Sequence, residues 1–549
     1  MMRVPAYEGV KAEGELGFRL AKNFARLEDT EYRPDVLFEI EKNGWAGDWE
    51  GRTVLALVLL SRTTGQKAAY LDEILDKLEE EMNPKGYLKG ILPDGEADEQ
   101  QLSGHNWLLR GLLEHYLWTG SERSERMARK IVENLYLPVR PLYKNYPTDP
   151  AMRSMDGEAS GRIGGNVVYG WHLSTDIGCA FMSMDALSQY YSIFGDERVA
   201  DLLWKMFEAF CRIDFMKASM QTHASLSACR GLIRFYKCTE RTELLDFVIS
   251  FFDFYMKHGM TENYANFNWF GRPLWTEPCA IVDSYLVALE LWKETGKLAY
   301  LQTAHRIYYN ALGHGQRNNG GFGCDDCAGP GPAGAFLRAQ RNHYEACWCC
   351  SMRGAEGLTK AALHSVLEDG SRIYIAGCFS GEYELADARL TVRSGLPREG
   401  HLSIRISGCQ GLHKFYFYIP EGADRDALHL QVRGREVPAV WEDGYLTVSV
   451  LGCGDVRLVY PICLQKRGTV SKETPEGSCT YWHGDLLLGA ETKDAVTVDG
   501  DKLAPQAPAV YSDGQTVLQP VGQSIYFERE ELLNRSLQVL FNANAGGDN

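Results

Sequence analysis

Cysteines and a carboxylate crowd into one stretch of this chain. Six of its 15 cysteines lie between Cys279 and Cys350, in three short motifs. WTEPCA places Glu277 two residues before Cys279, CDDC supplies Cys324 and Cys327, and HYEACWCCSM supplies Cys347, Cys349 and Cys350. Thiolates bind zinc tightly, and a carboxylate can complete a tetrahedral set. Adjacent cysteines do not form an unstrained disulfide with each other, yet both can point at one ion from a loop leading into a helix. Two ligand sets of four are open. One is Glu277, Cys279, Cys349 and Cys350. The other is a structural knuckle of Cys324 and Cys327 with two of the later cysteines. The alternative to both is a group of reduced, buried thiols with no metal.

Zinc would change what a cysteine here can do. A free thiol is mostly protonated at neutral pH, and coordination removes the proton. The thiolate is then a nucleophile that can attack an anomeric carbon, as carboxylates do in ordinary retaining glycosidases. A second group must protonate the leaving oxygen. Glu262, in GMTENYANF, is the candidate because it shortly precedes the metal segment. The plain alternative is a solvated loop carboxylate.

These residues need elements to position them. Through the first two-thirds, an apolar helical run ends in a small turn and a second helix follows. Gly65, Gly120, Gly195 and Gly296 mark four such turns, where a left-handed residue can end a helix. The spacing is too irregular for a tetratricopeptide-type solenoid. It fits helical hairpins closed into a ring, the (α/α)6 toroid, with a plain α-solenoid as the alternative. Trp49 and Glu50, then Gly104 and His105, then His223, then Glu277 and Cys279 each fall 15 to 19 residues before a turn of this kind. Each group is therefore expected at the N-terminal end of the first helix of its hairpin. If those helices form the inner ring, all the groups converge on one mouth, and convergent polar groups in a lined pocket are the default site hypothesis. Taken alone, a histidine at a helix start is a cap or a satisfied core group.

After Glu368-Asp369-Gly370 the pattern changes. HLSIRISG, KFYFYIP and YLTVSVLG alternate or run apolar at strand length, between Gly, Pro and Asp turns. The expected organisation is a helical barrel over 1–368, an antiparallel β-sandwich region over 369–543 and a disordered tail over 544–549. A formal net charge of -16 disfavours nucleic acid. The apolar run Val54–Leu60 is too short to span a bilayer. The opening MMRVPAYEGVKAEGEL lacks the apolar run of a signal peptide, so a cytoplasmic location with reduced thiols is expected.

Four segments carry a family resemblance: GHNWLLRGLLEHYLWTG from Gly104, THASLSACRGLIRFY from Thr222, WTEPCAIVDSY from Trp275 and CWCCSMRGAEGL from Cys347. With them the chain resembles glycoside hydrolase family 127, the β-L-arabinofuranosidase group. YWHGDLLLGAE, from Tyr481, resembles that family's Gly-Pro-Leu-Val strand, with Asp485 in place of Pro. The resemblance implies an (α/α)6 catalytic barrel followed by β-sandwich domains. It implies zinc on Glu277, Cys279, Cys349 and Cys350, with Cys349 as nucleophile, Glu262 as acid/base, and His105 and His223 in contact with the sugar. Trp49 and Asp176 complete the expected substrate pocket. Asp176 is the nearest polar group in STDIGCAFMSMDALSQYY, where the family has a further Gly-His. Ser351-Met352-Arg353 stands where Pro-Pro-Asn is usual, and CDDC is extra. These departures fall in pocket-facing loops and bear on the sugar rather than the fold.

The expected activity is that of a retaining exo-glycosidase releasing L-arabinofuranose or a related sugar. Its partner would be a small oligosaccharide or glycoside, with neither nucleic acid nor membrane, and a homodimer is one assembly open to it. The rival from another class is a sugar-binding or structural protein whose zinc only pins loops. A lyase or epimerase on the same toroid is a third reading, which would require a Tyr/His or His/His pair in the cavity without metal.

Overall fold

The computed structural model describes residues 2–39, 45–153 and 163–542. The tail expected over 544–549 lies outside the described residues. Among those described, six helices pack each against the next in a closed ring: Asp48–Thr64, Glu99–Thr119, Ser183–Phe194, Thr222–Thr239, Pro278–Thr295 and Cys350–Leu363. The last closes on the first, which makes a toroid rather than an open solenoid. A second layer, Leu71–Glu81, Glu122–Ile131, Glu197–Phe210, Thr242–His258, Leu298–Arg306 and Gly14–Arg26, packs outside, one helix to each inner helix.

Sequence explains the layering. Inner helices are apolar around most of their circumference; Val54 to Leu60 are all buried. Outer helices such as Leu71–Glu81 bury only one stripe, Leu71, Ile74, Leu75 and Leu78. Gly65, Gly120, Gly195 and Gly296 end four inner helices in the left-handed conformation, as the turn pattern predicts, and Glu240 takes that conformation after Thr239. Gly51 lets two inner helices touch. A Cβ there would lie 2.1 Å from the Leu108 backbone nitrogen, so any larger residue forces the helices apart.

Beyond Leu363 the described chain is rich in antiparallel strands arranged in several sheets. His401–Ser407 buries Leu402, Ile404 and Ile406 on one face and alternates with exposed residues, the period-2 pattern of a half-buried strand. One seven-stranded and one five-stranded sheet precede a further sheet built mainly from Leu464 onward. The sheets also recruit short strands from the helical part. Val10–Ala12 pairs with Gly381–Tyr383, and Phe336–Leu337 pairs with Leu537–Gln538. Strand pairing therefore crosses the expected boundary at 368, which tethers the barrel to the sheets. No helix among the described residues is long and apolar enough to cross a membrane.

Candidate active site

The ring brings three sulfurs together. Cys279 opens the helix Pro278–Thr295, while Cys349 caps and Cys350 starts the helix Cys350–Leu363. Their Sγ atoms all lie within 4.8 Å of one another. Cys279 stands 3.6 Å from Cys350, and Cys349 stands 3.4 Å from Cys350. A tetrahedral ion with metal–sulfur bonds of about 2.3 Å sets sulfur–sulfur edges of about 3.8 Å, so the trio is spaced to hold one. His223, Glu277 and Cys279 form a second group within the same 4.8 Å limit. Cys279 belongs to both, and Glu277 is the carboxylate beside the trio. Cys279 and Cys350 are buried, whereas Cys349 is half-buried.

Loops fix this geometry. Glu277 donates its backbone N–H to Asn266 Oδ1 at 2.8 Å, and Asn266 Nδ2 donates to Thr222 Oγ1 at 3.0 Å. One asparagine thereby joins the starts of two inner helices. With its amide nitrogen turned toward Glu277, Asn268 donates to Oε2 at 2.5 Å and accepts from Trp275 Nε1 at 3.2 Å. His223 lies between two carboxylates, Nδ1 3.3 Å from Glu277 and Nε2 3.3 Å from Asp283, and it stacks on Trp107 with ring centroids 5.6 Å apart. Arg52 donates to Asp48 Oδ2 at 2.9 Å and to Cys279 Sγ at 3.5 Å.

The charges follow from these contacts. Burial disfavours the imidazolium of His223, but Glu277 and Asp283 outweigh it and push its pKa up to about 9. Burial also opposes a thiolate at Cys279. The Cys349 and Cys350 thiols, with Arg52 and His223, overcome it and hold Cys279 well below the usual thiol value. Burial raises Glu277. Burial, with the charge of Glu277 nearby, pushes Asp176 up to about 7.

Other expected site residues sit differently. His105 is buried six residues inside its helix, not at the start, and both ring nitrogens meet main chain. Leu88 N–H donates to Nε2 at 2.9 Å, and Nδ1 lies 2.8 Å from the Gln101 carbonyl. That leaves no nitrogen for a sugar. Burial lowers its pKa to about 4, so it is a neutral tether between two segments. Glu262 is enclosed rather than solvated. Its Oε2 accepts from Val470 N–H at 2.9 Å, and its Oε1 accepts from Ser471 N–H at 3.1 Å and Thr474 Oγ1 at 2.6 Å. Burial raises its pKa while these donors oppose the rise. Trp49 is buried in the first turn of Asp48–Thr64, and Asp176 is half-buried ahead of the third inner helix.

CDDC belongs to the support of the site. The Cys327 thiol faces the Asn266 carbonyl at 3.6 Å. Asp325 pairs with His314 at 2.9 Å and Arg317 at 2.8 Å, and its N–H donates to Thr276 Oγ1 at 2.9 Å, next to Glu277. Neither Cys324 nor Cys327 joins a group of three spaced for a metal ion among the described residues.

Sequence reasoning missed the network beneath the site. Arg110 pairs with Asp185 at 3.2 Å and Glu356 at 2.8 Å, and Arg230 pairs with Asp283 at 2.7 Å and Glu356 at 2.6 Å. Arg353 joins Asp283 and Glu356. All six side chains are buried, and they come from five of the six inner helices. The available signal was an arginine inside an otherwise apolar helix, as in NWLLRGLL, SACRGLI and CSMRGAEGL. Such a charge cannot stay in a core without a partner.

No protein-family profile matches the chain, and no curated protein sequence does. Solved structures do match over nearly its whole length. A GH127 β-arabinofuranosidase aligns at 14% identity, covering 98% of each chain, with a TM-score of 0.71. A protein described as a glycoside hydrolase aligns at 15% identity, covering 98% of this chain and 97% of its own, also at 0.71. A GH127 β-L-arabinofuranosidase from Geobacillus stearothermophilus T6 aligns at 12% identity, covering 97% of this chain and 99% of its own, at 0.70. The chain shares the fold of these proteins from end to end, a helical toroid followed by antiparallel sheets.

Proposed function

We propose that the protein is a retaining exo-glycoside hydrolase that releases L-arabinofuranose or a related sugar. The observation that carries this reading is the sulfur trio at the mouth of the closed ring, with Glu277 and His223 beside Cys279. End-to-end likeness to solved GH127 enzymes supports it. Zinc would be held by Glu277, Cys279, Cys349 and Cys350, and when bound it keeps thiols deprotonated at neutral pH. Cys349 is the nucleophile: its sulfur bonds to the anomeric carbon as the glycosidic bond breaks, Glu262 gives a proton to the departing oxygen, and water, losing its proton to Glu262, later releases the sugar. Exposure favours Cys349, since it is the half-buried member of the trio. A structural site would enclose Cys349, whereas a catalytic thiolate needs an open face toward the cavity, and the partial exposure of Cys349 supports the second over a loop-pinning metal. Asp176, half-buried ahead of the third inner helix, is proposed to accept a hydrogen bond from a sugar hydroxyl, and Trp49 is proposed to border the pocket.

Glu262 keeps the acid/base role in this proposal, and burial, which raises its pKa, suits a proton donor. Its three hydrogen bonds also bind the Val470–Thr474 segment to the barrel, a second role as tether. A leaving-group series separates the two roles. Glu262→Gln as a lost tether slows aryl and alkyl glycosides alike. A loss confined to alkyl glycosides, whose leaving oxygen needs a proton, is the result expected of the acid.

The first experiment is elemental analysis of reduced wild type and Cys279→Ala, followed by a screen of nitrophenyl glycosides beginning with arabinofuranosides. About one zinc per chain, lost in the variant, together with turnover, supports the proposal. Wild type without zinc removes the thiolate mechanism.

A further inference from the structure

Aromatic rings lead from the candidate site to the surface. Trp269 is buried and meets Trp275 edge-on, with ring centroids 5.0 Å apart. Trp275 packs against His343 with the rings tilted by 30° and their centroids 5.9 Å apart. His343 meets Trp348 at 6.3 Å and 72°. Exposure rises along the series: Trp275 and His343 are half-buried, and Trp348 is 45% exposed. Trp275 and His343 thus form a floor, and Trp348 stands against it as a wall.

This corner is continuous with the sulfur site through the chain itself. Trp348 immediately precedes Cys349, and Trp275 lies two residues before Glu277. Asn268 bridges the Trp275 indole and the Glu277 carboxylate. His343 is fixed by its carbonyl, which accepts from Cys324 N–H at 3.0 Å, so CDDC braces the floor as well as Glu277. Burial favours neutral His343, so the three rings present apolar faces without charge. A sugar ring has the matching chemistry, with C–H bonds on its faces and hydroxyls at its rim. Carboxylates and the sulfurs crowd the inner position, whereas the outer corner offers stacking.

We propose that Trp275, His343 and Trp348 form a stacking subsite for a neutral sugar ring on the leaving-group side of Cys349. This rests on the reading of the sulfur site as the place of glycoside cleavage. It predicts a preference for a glycan end, where the released sugar is attached to another ring, over a glycoside with a small alkyl group.

The test compares two kinds of probe on wild type, Trp348→Ala and Trp348→Tyr. Binding of arabinofuranobiose, xylobiose and cellobiose, and of the corresponding methyl monosaccharides, is measured by calorimetry in the Cys349→Ser background. Hydrolysis is measured with Cys349 intact, and zinc is measured on every preparation. The expected result is a rise of about tenfold in the disaccharide-to-methyl-glycoside Kd ratio for Trp348→Ala, the size of one aromatic stacking contact. Trp348→Tyr should recover most of it. An unchanged ratio overturns the subsite, as does failure of every disaccharide to bind wild type. If Trp348→Ala loses metal, the Tyr variant decides: full disaccharide selectivity supports stacking, and selectivity lost with metal retained overturns it. If wild type hydrolyses nothing and the ratio still shifts, the hydrolase reading falls and the sugar platform stands. If wild type hydrolyses glycosides and the ratio is unchanged, only the platform falls.

Discussion

Two sides of the ring's mouth carry the same sequence signal and end differently. On one side, the helices Thr222–Thr239, Pro278–Thr295 and Cys350–Leu363 begin with His223, Cys279 and Cys350, whose polar atoms converge with those of Glu277 and Cys349. On the other side, Trp49 is buried in the first turn of its helix, and His105 spends its ring nitrogens on the main chain of Leu88 and Gln101. The loops make the difference. Before Thr222 and Pro278, Asn266 and Asn268 take up the backbone and carboxylate demands, so the ligand atoms of the next residues remain available. Near Glu99 the Leu88 segment lies directly on His105 and uses it as an acceptor. A polar residue near the start of an inner helix therefore keeps its ligand atoms available only when its neighbouring loop has satisfied itself.

The strongest way to break this comparison is to remove the proposed nucleophile from the converging side. Cys349→Ser should lower kcat on a nitrophenyl glycoside by about a thousandfold or more, the scale of losing a covalent nucleophile. Activity within tenfold of wild type would leave the sulfur trio with a structural role. Next in size is the support both sides share. Asp283 faces His223 and also pairs with Arg230 and Arg353, all buried. Asp283→Asn leaves buried cations without their counter-charge and should cost about 3–5 kcal/mol in urea unfolding. A cost under about 1 kcal/mol would mean that the network relaxes around the change and does not fix the mouth.

How far the sequence alone goes follows from the range of each interaction. The hairpin turns were legible because Gly65, Gly120, Gly195 and Gly296 obey a local backbone rule. The cysteine trio was legible because few chemistries use a Glu-x-Cys with a Cys-x-Cys-Cys. The fate of His105 was not, because its partner Leu88 is set by a loop path that no period encodes. Glu262 was legible as a candidate from its place shortly before WTEPCA, but the groups that hold it were not, because they lie at Val470–Thr474, more than 200 residues away. The pairing of Val10–Ala12 with Gly381–Tyr383 was hidden for the same reason. The ionic network left a local trace, arginines in apolar helices, but its pattern of partners exists only once the ring has closed.

His105 can sharpen the comparison through pH. Its folded pKa is about 4, below the usual value of 6.5. Between those values the unfolded chain takes up a proton that the folded chain refuses, so stability falls as pH drops from about 6.5 toward 4. The loss attributable to His105 approaches about 3 kcal/mol. His105→Gln should be less stable than wild type at pH 7.5, because it loses the Leu88 tether, but should lack this part of the acid slope. Urea midpoints at pH 7.5 and 4.5 test it. If His105 instead contacts the sugar, the variant raises KM and keeps the wild-type slope.

The smallest expected effect lies on His223, which would act on the proposed metal set through Glu277. Its imidazolium and Asn268 hold the two oxygens of that carboxylate, and Asp283 anchors the ring from behind. Partners of this kind orient a ligand without binding the ion, and removing one typically costs about 10–100-fold in metal affinity. His223→Asn should therefore weaken zinc by that factor in a chelator competition while zinc per chain at saturation stays the same. His223→Ala with Glu277→Gln should cost scarcely more than Glu277→Gln alone, because the histidine has nothing left to orient. Additive losses would instead make His223 a ligand in its own right, and the two overlapping groups around Cys279 would then have to be read as one larger set.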